Sequence, residues 1–171
     1  IAYLCWWYHL AERVRDGYLA LMEPLAWEAG NYVAEGQWGL FSPLTILLGV
    51  LATIVPDVVV YVTVVKIGLI VLGGTGTYLV ARSYGARAPF ALVGGLVVGL
   101  SSQSVFIDWP SWVNGQIGTA LLPWAWWFTR RAMAGRNPLG ALVLCYLIVS
   151  VGYVFCAIYL AVILLGCLVD A

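Results

Sequence analysis

The sequence predicts an all-α fold: a polytopic transmembrane helical bundle with amphipathic or re-entrant helices on its external side. Three observations predict it. Of the 171 residues, 63% are hydrophobic and only 9% charged, and the mean hydropathy is +0.96, more apolar surface than a soluble domain of this size can hide. The apolar residues gather into runs near the roughly 20 residues that a hydrocarbon core of about 30 Å requires. The arginines fall in alternate connections between those runs, the asymmetry that orients membrane helices. Net charge is zero and no basic cluster resembles a nucleic-acid footprint, so membrane lipid, not nucleic acid, is the expected partner.

Taken in order, residues 3–15 read as a surface helix, aromatic first and charged later, and Tyr18 to Trp27 as an irregular connection broken by Pro24. Val58 to Ala81 makes a full span, interrupted by Lys66 and closed by Arg82. Pro89 to Gln103 is shorter and crosses only if its serine-rich end reaches the far interface. Gly118 to Phe128 with its flanks makes another span, ending in "WAWWFTRR", where Trp124, Trp126 and Trp127 form an interfacial belt above Arg130 and Arg131. Leu139 to Val169 would be roughly 46 Å long as one helix, so a break is expected near Ser150, Gly152 and Tyr153. Residues 1–57 thus precede a bundle of about four to five spans over 58–171. The start at Ile1 and the end at Ala171 read as truncations of a longer chain.

Charge sets the orientation. Arg82 and Arg87 lie in one connection, Arg130, Arg131 and Arg136 in the next on the same side, and neither holds an acid, so both are expected to be cytoplasmic. Residues 1–40 and 101–117 are then external, carrying Glu12, Asp16, Glu23, Glu28, Glu35 and Asp108. Parity follows: "SPLTILLGVLATIVPD" lies between two external points, so its run from Pro43 to Pro56 is expected to be interfacial or re-entrant.

Candidate binding residues cluster on that external side. Lys66 lies about 12 Å into its span, where a cation costs on the order of 3 kcal/mol without a partner or water. It either snorkels outward or serves as a phosphate ligand for a lipid-linked substrate. "SVFIDWPSWVNGQIG" sets Asp108, Trp109, Trp112, Asn114 and Gln116 close together. Aromatic faces stack on pyranose rings while carboxylate and amides bond hydroxyls, as a sugar site requires; an ordinary interfacial loop has the same composition. In "WEAGNYVAEGQWGLFSPL", Glu28, Glu35 and Gln37 can hold a divalent metal or act as a base. His9 is the single histidine, which excludes multi-His metal sites and leaves a Ser-His-Asp triad unsupported.

Two further patterns read as structural. "GGTG", Gly73 to Gly76, lacks a following Lys-Ser/Thr and lies within a span; with the Gly95/Gly99 pair it points to close helix packing, not a phosphate loop. Cys145, Cys156 and Cys167 recur every eleven residues, about 16 Å apart on one helix, too far to share a metal or form a disulfide; like Cys5 they read as buried hydrophobes.

The order of "GYLALMEPLAWEAGNYVAEGQWGLFSPLTILLGVLATIVP", "VVKIGLIVLGGTGTYLVAR", a Trp- and Asn-bearing loop and "TALLPWAWW" before an arginine pair resembles bacterial YfhO-like membrane proteins of the GT-C superfamily. The resemblance runs from about Gly17 to Arg131, matching at Pro24, Gly30, Ala34, Gln37, Pro43, Lys66, Gly68 and Pro123; it departs at Met22, where the family has tryptophan, and at Tyr32, where it has proline. It implies a GT-C-like fold in the bacterial inner membrane and an inverting glycosyltransferase that takes sugar from a polyprenyl-phosphate donor at the outer face. The substrate-binding set would be Glu35, Gln37, Lys66, Asp108, Trp109 and Asn114. The superfamily's catalytic acid would fall upstream of Ile1. The alternative is a non-catalytic integral-membrane subunit, with other membrane subunits as partners.

Overall fold

A computed structural model describes residues 2–18, 39–101 and 113–170. Among them are seven α-helices and no strand: α1 Ala2–Arg15, α2 Pro43–Ala52, α3 Val58–Ser83, α4 Ala88–Gly99, α5 Val113–Met133, α6 Leu139–Ser150 and α7 Val154–Val169. The helices begin where the sequence supplies caps. Ser42 accepts from the Thr45 N–H at 3.3 Å ahead of Pro43, and Asp57 accepts from Val59 and Val60 at 2.9 and 3.1 Å, each satisfying donors that a helix start leaves unpaired. Glycines with left-handed backbone end the turns, Gly85 after α3, Gly135 after α5 and Gly152 after α6.

α5 is the hub, packing against α3, α6 and α7. It carries Asn114, Gln116, Thr119, Thr129 and two arginines, yet holds the largest share of buried residues, among them Ile117, Leu121 and Ala125. The helices around it are more apolar and turn large side chains outward: Val60, Val64 and Val71 of α3, Leu92 and Leu96 of α4, Val143 of α6, Val162 and Leu165 of α7 are all exposed. A chain in water sorts the other way, since burial of such side chains is worth about 1.5–3 kcal/mol each.

Close contacts fix the helix directions. A Cβ added at Gly73 would touch Ala120, and one at Gly76 would meet Pro123 and Trp124, while the Trp124 indole N–H donates to the Leu72 carbonyl at 2.8 Å. α3 and α5 are therefore parallel. Gly115 fits against Tyr153 and Gly118 against Cys156, and farther along Arg130 pairs with Asp170 at 3.4 Å, so α7 is parallel to both. α4 opposes α3, with Gly95 on Gly74 and Gly99 on Ile70. α6 opposes α5: its start packs Gly140 on Phe128, and Val151 beyond its end shares the surroundings of Gly39 with Asn114.

The expected break in Leu139–Val169 is present, with Gly152 at φ 82° between α6 and α7. The two helices fold back as a hairpin, which places Cys145 on a different helix from Cys156 and Cys167; no disulfide joins these three. The expected crossing from Pro89 to Gln103 stops as a helix at Gly99, after about 18 Å, level with Ile70 of α3. α3 is the one helix among the described residues long and apolar enough to cross a membrane. α2 matches the short element expected between Pro43 and Pro56, and α1 packs against it.

α2 is tied to the bundle at three points. The Tyr61 hydroxyl donates to the Leu48 carbonyl at 2.7 Å, the Tyr146 hydroxyl to Phe41 at 3.0 Å, and Gly39, at φ 62°, brings its Cα into the space between the Thr45 hydroxyl and the Val151 carbonyl. A Cβ there would stand 2.9 Å from both oxygens. Gly39→Ala is therefore expected to cost about 2 kcal/mol from the left-handed backbone alone, and crowding adds to it; thermal unfolding in detergent micelles measures it.

Candidate functional site

The contacts between α3 and α5 place Lys66. Stepping back the same seven residues from Gly73 and from Ala120, which touch, brings Lys66 level with Val113, the first residue of α5. α4 ends one turn lower, level with Ile70, and the α6–α7 turn stands level with Gly115. Lys66 thus sits where the lower tier of helices gives way to the tier formed by α1, α2 and the top of α3. It is half-buried, on the face of α3 that carries Leu69, Ile70 and Gly73.

Directly below it, Leu69, Ile70 and Gly73 of α3, Val98 and Gly99 of α4, and Gln116, Thr119 and Ala120 of α5 enclose a cavity of about 20 Å³, enough for one water. Gln116 is 4% exposed, and the Thr119 hydroxyl donates to the Gly115 carbonyl at 2.7 Å and lies 3.8 Å from the Cys156 sulfur. An amide and a hydroxyl thus line the small cavity, and Lys66 stands one turn above it on α3.

Asn114, expected to bind substrate, is fully buried. Its amide nitrogen lies near Gly39, beside Thr45 and the Val151 carbonyl, so it stands at the junction of α2, α5 and the α6–α7 turn and not on the wall of either described cavity. Glu35, Gln37, Asp108 and Trp109 lie outside the described residues, as do Glu28 and Trp112. Of the amides expected in the sugar loop, Gln116 lines the cavity below Lys66, and the structure adds Thr119 to it. Their signal was in the sequence: Gln116, Thr119 and Ala120, at helical spacing, form one small, polar face that meets the glycines of α3. Among the described residues no group of three His, Cys, Asp or Glu could hold a metal ion.

The opposite end carries Arg82, Arg87, Arg130, Arg131 and Arg136, whereas Arg13 and Arg15 end α1. Arg130 lies 3.5 Å over the Tyr84 ring and Arg131 4.5 Å over Trp127; the Trp126 indole donates to the Tyr84 hydroxyl at 3.2 Å. The Arg82 guanidinium donates to the Ala86 carbonyl at 2.8 Å. The connections bearing Arg82 and Arg87 and Arg130, Arg131 and Arg136 therefore lie at one end of the bundle.

The described residues are thus all-helical, with one helix long and apolar enough to span a membrane and with Asn114, Gln116 and Thr129 of α5 buried. No family model matches the chain, and neither a curated protein nor a solved structure matches it.

Proposed function

We propose that the chain is the membrane-embedded part of a GT-C-type glycosyltransferase, which passes a sugar from a polyprenyl-phosphate donor to an acceptor at the outer face of a bacterial inner membrane. The inverted distribution of polarity, with apolar helices outside and α5 inside, supports the embedding. The arginine-bearing connections at one end support a cytoplasmic assignment for that end, and α2 then serves as the re-entrant element.

The observation that carries the functional reading is Lys66, level with the start of α5 and above the Gln116 amide. In transfer with inversion, a carboxylate takes the acceptor's proton, its oxygen attacks the anomeric carbon and the polyprenyl phosphate leaves. A half-buried ammonium at that depth stabilises the negative charge on the departing phosphate, an effect worth several kcal/mol in a water-poor site. In this reading Asp108, Trp109, Glu35 and Gln37 contribute to the sugar side.

Lys66→Met is expected to lower transfer by 100-fold or more, as loss of one such electrostatic partner does, while Lys66→Arg retains a measurable fraction. The measurement is sugar transfer from a defined polyprenyl-phosphate sugar in membranes. Unchanged transfer by Lys66→Met would remove the proposed role. A non-catalytic membrane subunit is the second reading, favoured by the complete burial of Asn114 and by the water-sized cavity at Gln116; it expects no transfer by any variant and co-purification with other membrane chains.

A further inference from the structure

The larger of the two described cavities begins one turn below Lys66 and shares Ile70 and Gly99 with the small one. It is an open groove of about 790 Å³ along the outward side of the α3–α4 seam, walled by Val71, Thr75 and Tyr78 on one helix and by Pro89, Leu92 and Leu96 on the other. The Thr75 hydroxyl is turned back onto the Val71 carbonyl at 2.7 Å, which removes its polarity from the wall. The floor is the glycine contact itself: a Cβ at Gly95 would stand 2.6 Å from the Gly74 carbonyl oxygen, and one at Gly99 3.3 Å from that of Ile70. Along α4 the groove runs from Ala88 to Leu100, about 18 Å, the reach of one extended hydrocarbon chain.

Its lower end is cationic. Arg82 follows Tyr78 by one turn on the same face of α3, and Arg87 is the residue immediately before Ala88, the first of the groove on α4. Both are exposed. The intervening "SYGA" holds no acid, and Asp170, at the same end, is engaged by Arg130. An apolar trough open sideways and closed at one end by two arginines is complementary to an amphiphile with an anionic head.

We propose that this groove is a binding site for an anionic phospholipid of the leaflet at the arginine end, with one acyl chain along α3 and α4 and its phosphate on Arg82 and Arg87. The site rests on the membrane reading but not on transferase activity. The phosphate position at Arg82 and Arg87 lies at the opposite end of the groove from Lys66, so the two headgroup positions are distinct. Lateral openness draws the occupant from the bulk bilayer, and the arginines select it by charge; each basic side chain near such a surface contributes about a fivefold preference.

The test uses the full chain in nanodiscs of equal parts phosphatidylglycerol and phosphatidylcholine, followed by gentle detergent extraction and native mass spectrometry of retained lipid. Wild type is expected to retain phosphatidylglycerol over phosphatidylcholine by about tenfold or more. The double variant R82Q/R87Q should lose that preference while keeping a wild-type helical circular dichroism spectrum. Leu96→Trp, which fills the trough without touching the seam, should reduce retention of both lipids. Equal retention of the two lipids by wild type, or a preference unchanged in R82Q/R87Q, would overturn the site. So would displacement of phosphatidylglycerol by equimolar polyprenyl phosphate, which would assign the groove to an isoprenoid chain instead.

Discussion

Gly95→Val is expected to destabilise the protein by about 3 kcal/mol or more, the upper end for overpacking an interior contact. The reason is what the new side chain meets. A Cβ at position 95 stands 2.6 Å from the carbonyl oxygen of Gly74 and 3.4 Å from its carbon. Both atoms belong to the backbone of α3 and cannot rotate away, so the two helix axes must separate along their whole contact. Replacing glycine within a helix returns about 1 kcal/mol or less of conformational advantage, which does not offset the clash. No second substitution at position 74 relieves it, because the obstacle is a backbone atom. Thermal or denaturant unfolding of purified protein in micelles reads the loss, and Gly94→Val is the control: it is on the same helix, and a Cβ there meets nothing within 4 Å.

Gly118→Val is expected to cost about 2–3 kcal/mol through the seam between α5 and α7. A Cβ at position 118 stands 2.6 Å from the sulfur and 2.9 Å from the Cβ of Cys156, which is fully buried. Here the obstacle is a side chain, and this changes the outcome. Cys156→Gly removes both obstructing atoms, so the double variant should recover a large part of the loss in a double-mutant cycle, with a coupling of about 1 kcal/mol or more. Simple additivity would mean that the α5–α7 contact is looser than the structure has it.

The contrast explains how far the sequence carried the fold. Apolar length announced α3, and the short apolar run between Pro43 and Pro56 announced α2, because these are local properties of the chain. The glycines at 73, 74, 95 and 99 signalled close packing but not which helix lay opposite, since a small-residue stripe fits any partner with a complementary notch. The fold-back at Gly152 was visible as a break, yet its direction depended on Gly115 and Gly118 of α5 receiving Tyr153 and Cys156.

The site was less legible than the fold. Lys66 was conspicuous because an isolated cation in an apolar run is costly, whereas Gln116 was read as an amide of the outer loop and Thr119 as part of an apolar span. Only the parallel register of α3 and α5 brings them beneath Lys66. Asn114 shows the converse. Its residue type and place in the sequence suited sugar recognition, but its level on α5 coincides with the entry of Gly39 and the α6–α7 turn, and the amide is enclosed there.

Embedding of this inverted bundle underlies both the proposed donor-phosphate role of Lys66 and the proposed lipid site. Nitroxide labels at Leu92, Val143 and Val162, one on each of α4, α6 and α7 and all outward-facing, test it directly in reconstituted vesicles. High collision rates with oxygen and low rates with a water-soluble nickel chelate are expected at all three sites. Free access of the nickel chelate to all three would place these faces in water and contradict the account.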